Sequence, residues 1–134
     1  MMKSAQVGSL LFVLILAGCA REQDYLDVVK EQQAAWNDVA DVLETVKDEK
    51  SMAAAKKDLE ARVEAFDVVA KKAQRLPTPS PDFLEKHQQK VYLLNRAIER
   101  FHGEVRRIRR LPGGEAFCKQ FTSGHPGLSS AVQP

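Results

Sequence analysis

Turn-forming residues are scarce where a turn would be needed. The 134 residues hold seven glycines and six prolines, and none of them lies between Arg21 and Leu76. Apart from Gly103, they gather near the N-terminus, at Pro77–Pro81 and from Pro112 onward. A long stretch without either residue has no punctuation for turns. Strand-type alternation of apolar and polar residues is also missing, so no sheet is expected. Cysteine occurs only at Cys19 and Cys118, which excludes a disulfide scaffold and any paired-cysteine motif. There is no glycine-rich phosphate loop, no zincin helix and no nucleophile elbow. Carboxylates are plentiful, but they fall on polar faces at helical spacing, whereas acid–base catalysis needs them in a cleft. The expectation is therefore no enzyme and no cofactor.

Metal binding finds little support. His87 and His102 are fifteen residues apart, about 22 Å along one helix, while zinc needs ligands within ~2.3 Å of one ion. Nothing in the spacing of His102, Cys118 and His125 fixes a site, so no metal is expected. Charge is nearly balanced, with 20 basic and 18 acidic residues and a net +2. That balance selects no particular partner.

What the chain does have begins at its first residues. Lys3 supplies a positive charge, and Leu10, Leu11, Phe12, Val13, Leu14, Ile15 and Leu16 form an unbroken apolar run. Ala17 and Gly18 come next as small residues. This is the layout of a secretory signal. The stretch from Val7 to Gly18 is shorter than the roughly 20 residues that cross a bilayer. Leu16-Ala17-Gly18-Cys19 resembles the lipobox of bacterial lipoproteins. The resemblance implies cleavage after residue 18, a diacylglycerol on the Cys19 thiol and acylation of the new amino group. Two or three chains hold a protein at a membrane firmly, while one binds it only marginally. Ala20, in place of aspartate, resembles the pattern sorted to the outer membrane, so the periplasmic face of that membrane is expected ahead of the inner one.

Residues 1–18 are thus expected to be a signal peptide and 19–23 a lipidated tether. Residues 24–111 are expected to form an all-α, up-down-up, antiparallel three-helix bundle of coiled-coil type. Residues 112–134 are expected to be a flexible Gly/Pro/Ser-rich tail with a short helical turn near 115–121. The first helix is predicted over 24–47, with Tyr25, Val29, Gln32, Trp36, Val39, Leu43 and Val46 on one stripe. The second is predicted over 51–76, with Ser51 as N-cap and Met52, Ala55, Leu59, Val63, Phe66, Ala70 and Ala73 facing inward. Pro77 ends it. The third opens on Ser80 and Pro81 and carries Leu84, His87, Val91, Leu94, Ile98, Phe101, Val105 and Ile108 at heptad steps. The rival architecture is a hairpin or single helix that completes its core by self-association.

A few residues break pattern. Gln32 and His87 are polar entries on apolar seams and are expected at similar height, where they would pair. Trp36 is expected in the core, and Phe117 and Phe121 are expected to cap the end of the bundle beside Cys118. With Cys19 lipidated, Cys118 has no partner within the chain, so it is either buried, reduced or joined to another chain. Arg106, Arg107, Arg109 and Arg110 close the third helix. They are expected to be a solvated, dipole-favoured run, or alternatively a surface for an anionic polymer. No aromatics are interleaved with them, which argues against single-stranded nucleic acid, and no nucleic-acid partner is expected. The function expected is a non-catalytic envelope lipoprotein that meets the membrane through Cys19 and a protein partner through its rod. The alternatives are anionic-polymer binding or homo-oligomerisation through the third helix or Cys118.

Overall fold

A computed structural model describes residues 20–132. The expected signal peptide and Cys19, and with them the lipobox, lie outside the described residues. The described chain is all-helical, with no strand among the described residues. The helices are α1 (Glu22–Glu44), α2 (Glu49–Gln74), α3 (Pro81–Lys86), α4 (Gln88–Arg109), α5 (Gly114–Thr122) and α6 (Pro126–Val132). None of the described helices is long and apolar enough to cross a membrane.

Local chemistry sets the helix starts. The Asp24 carboxylate accepts from the Arg21 amide at 3.1 Å, ahead of α1. Asp48, rather than the expected Ser51, caps α2. The Asp48 carboxylate accepts from the Ser51 amide at 2.8 Å, and the Ser51 hydroxyl accepts from the Asp48 amide at 2.9 Å. Two otherwise unpaired amides are satisfied reciprocally. Ser80 caps α3 as expected, accepting from the Phe83 amide at 3.2 Å, with Pro81 in the first turn.

The long third helix is broken. His87, at φ −115° and ψ 30°, separates α3 from α4. The expected heptad seam put Leu84 inward, but Leu84 is 43% exposed and Phe83 is buried instead. The Phe83 ring packs on Tyr25 at 5.3 Å and on His87 at 4.7 Å. Inward positions thus slip by one residue across His87, and the backbone change there absorbs the slip.

Helix α1 packs on both α2 and α4. Lys72 meets Glu31 at 2.9 Å and Arg62 meets Asp38 at 3.5 Å, so later residues of α2 face earlier residues of α1. Along α4 the order is the same as along α1. His87 reaches Glu22, Arg100 reaches Asp41 and Glu44 at 2.7 Å, and Arg107 reaches Leu43 and Val46.

The helical turn expected near 115–121 is observed as α5, but the flexible tail expected around it is corrected as far as residue 132, since Pro126–Val132 form a further helix. Helices α5 and α6 pack on each other; α5 also lies on α2 and α4, and α6 on α4. Cys118 and Leu128 are fully buried with Leu43, Leu59, Phe101 and Ile108. The tail is rich in turn-formers, yet it spaces Phe117, Cys118, Phe121 and Leu128 so that each reaches the core. Their burial outweighs the ordering cost of the short segment, since a buried large apolar side chain contributes ~1.5–3 kcal/mol. Gly113 adopts φ 74°, and a side chain at Gly114 would sit 1.7 Å from the Ile108 carbonyl oxygen. Only glycine permits this reversal from α4 into α5. At the centre, Trp36 packs edge-on against Phe66 at 4.6 Å and Phe101 at 5.0 Å. Its expected core role therefore holds.

Candidate functional site

The described chain starts at Ala20, one residue after Cys19, and a small network orders that end. The Tyr25 hydroxyl donates to the Pro77 carbonyl at 3.0 Å, joining the start of α1 to the loop after α2. Lys86 lies 3.0 Å from the Glu22 carboxylate, and His87 Nε2 lies 2.5 Å from the same oxygen. Hydrogen bonding to His87, and next to Lys86, holds the Glu22 carboxyl below its ordinary range. Beside this network a shallow groove opens. Ala20, Tyr25, Pro77, Thr78, Phe83 and Lys86 line it, with Glu22, Ser80 and Asp82.

The expected pairing of Gln32 with His87 is corrected here. His87 takes Glu22 as its partner, and Gln32 lines a different groove with Trp36, Phe66, Ala70 and Gly127. The two seams were expected to meet face to face, but the slip at His87 turns the imidazole toward the first turn of α1.

Of the four arginines that close the third helix, Arg107 and Arg109 have partners within the fold. Arg107 donates to the carbonyls of Val46 and Leu43 at 2.6 and 2.9 Å and pairs with Glu104 at 2.6 Å. Helix α1 has no basic residue in its own last turn. Arg107 supplies the missing donors and positive charge from another helix. Arg109 lies 3.4 Å from Glu115 at the start of α5. Arg106 and Arg110 are exposed. An acidic stretch of α1 pairs with Arg100 instead, whose guanidinium is stabilised in its charged form chiefly by Asp41.

Cys118 is fully buried as a free thiol. Burial pushes its pKa up to about 11, so it is a poor nucleophile in the folded chain. Of the states expected for Cys118, burial as a free thiol is the one observed, and it leaves the sulfur no surface for a disulfide to a second chain. No group of three metal-ligating side chains occurs among the described residues.

Two features escaped the sequence. His125 Nδ1 lies 2.5 Å from the Asp67 carboxylate and ties the start of α6 to α2. A groove between α2 and α5 has Leu59, Val63, Phe117 and Phe121 as its floor and Glu60 and Glu64 on its rim. The four-residue spacing of Phe117 and Phe121 was the one available signal. Their rings do pack together, with centroids 5.6 Å apart. No family model, no curated protein and no solved structure matches the chain.

Proposed function

We propose that this chain is a bacterial envelope lipoprotein, anchored through lipid on Cys19, whose helical body holds a protein partner near the membrane without catalysing a reaction. The observation that carries this reading is the lipobox Leu16-Ala17-Gly18-Cys19, set directly behind an apolar run. Helix α1 begins at Glu22, so the folded body stands almost on the anchor. The periplasmic face of the outer membrane is the proposed location, on the residue after the cysteine.

The body is read as an up-down-up bundle of α1, α2 and α3–α4. Opposite contact order between α1 and α2, and matching order between α1 and α4, support it. Helices of 22 to 26 residues at ~1.5 Å each would make a rod of roughly 33–39 Å. One end then lies at the bilayer and α5 roofs the other. The anionic-polymer reading is not carried forward, because Arg107 and Arg109 are committed within the fold.

The test is the intact mass of the full chain produced in a lipoprotein-processing bacterium, together with membrane fractionation. A mature chain beginning at an acylated Cys19, and loss of that mass in Cys19→Ser, is the expected result. A mature terminus elsewhere, or an unmodified Cys19, overturns the anchor. Cross-linking in intact cells that captures no protein would overturn the partner role.

A further inference from the structure

We propose that the groove beside Ala20 is the seat of the chain's own lipid: the glyceryl thioether on Cys19 and the first methylenes of its acyl chains. This rests on the lipoprotein reading.

Position comes first. Ala20 itself lines the groove. Adjacent Cα atoms are ~3.8 Å apart, so a group carried by the residue before Ala20 is tethered close to the groove lining. An occupant tethered there has an effective concentration far above that of any free ligand.

Chemistry agrees with position. A diacylglyceryl group is apolar in its chains and carries ester carbonyls that only accept hydrogen bonds. The groove offers both complements. Tyr25, Pro77 and Phe83 provide an apolar wall, with the Tyr25 and Phe83 rings 5.3 Å apart. Thr78, Ser80 and Lys86 line the groove as donors, beside the carboxylates of Glu22 and Asp82. Lys86 is held by Glu22 at 3.0 Å, but an ammonium has three protons to give.

Rigidity adds to both. The Tyr25 hydroxyl is fixed by the Pro77 carbonyl at 3.0 Å, and Phe83 is buried behind it. The wall is therefore formed before the lipid arrives, and seating the lipid orders little else. A seated glyceryl group would set the body's height and rotation on the bilayer instead of leaving it on a swivel.

The experiment uses the full chain, processed in a bacterium and purified in fully deuterated detergent. Its intact mass is taken first. Proton–proton Overhauser contacts are then recorded between lipid and protein. Contacts from the glyceryl and first-methylene protons to the Tyr25 and Phe83 rings are expected. In Tyr25→Ser the contacts to the lost ring should disappear while those to Phe83 persist. Lipid present by mass, with neither ring in contact with it, overturns the seat and leaves the anchor standing. An unmodified Cys19 overturns both.

Discussion

The guanidinium of Arg107 donates to the carbonyl of Val46 at 2.6 Å, so the end of one helix is closed by a side chain of another. A second bond to Leu43 at 2.9 Å spans the same turn. Hydrogen bonds to charged groups contribute ~1.5–3 kcal/mol each, and buried carbonyls left unpaired are costly. Arg107→Ala should therefore lower the unfolding free energy by roughly 2–3 kcal/mol in urea titration. Arg106→Ala and Arg110→Ala should each change it by less than ~0.5 kcal/mol, as exposed substitutions do. Equal losses at all of these positions would contradict the assignment.

The contact between His125 and Asp67 makes a second expectation. It fastens α6 at its start, and Leu128 behind it is fully buried. Leu128→Ala should cost ~2–5 kcal/mol, the range for emptying a packed site. Asp67→Asn should raise hydrogen exchange in residues 126–130 while leaving α1 protected. A tail that moved freely would show neither effect.

Asp48 sets an acid-side limit. Bonds from the Ser51 amide and hydroxyl hold its carboxyl below the usual 3.8. Its ionised form is thus favoured by folding. That contribution is present above pH ~4 and fades as pH falls through the lowered native value. Asp48→Asn keeps a competent cap without the charge, so its deficit relative to the parent should shrink between pH ~6 and pH ~3. Asp48→Ala, which removes the cap altogether, should lower stability at neutral pH. Stability curves at stepped pH check both.

Cys118 sets an alkaline limit of opposite sign. Burial raises its thiol to about 11, from an ordinary 9.0. The folded state prefers the protonated form. As pH rises from ~9 toward ~11, ionisation of the thiol in the unfolded chain pulls the equilibrium away from the fold. Cys118→Ala should lose stability less steeply over that interval than the parent. In native buffer a thiol reagent should react with Cys118 slowly, at a rate that rises with urea as the core opens.

The helix ends were largely legible because caps are local. Ser80 and Pro81 announce α3, and Pro77 closes the region of α2, through bonds and clashes within a few residues. Asp48 was mistaken for a turn residue because Ser51, three positions on, serves as its partner and looked like the cap itself. The seam of the third helix was legible only in its second half, where Phe101, Val105 and Ile108 are buried as expected. Of the groove beside Ala20, the sequence revealed nothing, since Tyr25, Pro77 and Phe83 come from three separate segments.

Composition misled at the C-terminus. Glycine, serine and proline there suggested a mobile tail, and by itself so short an apolar set cannot hold a helix in water. It folds because α2 and α4 leave a space that Cys118 and Leu128 fill.

By itself the sequence determined that the described chain is helical and where some of its helix ends lie, Pro77 and Ser80–Pro81 above all. These come from period and caps, which act over a few residues. Tertiary structure alone decided that His87 turns to Glu22, that Arg107 closes α1 and that the tail completes the core. Each of these joins side chains far apart in the chain, and only packing brings them within bonding distance.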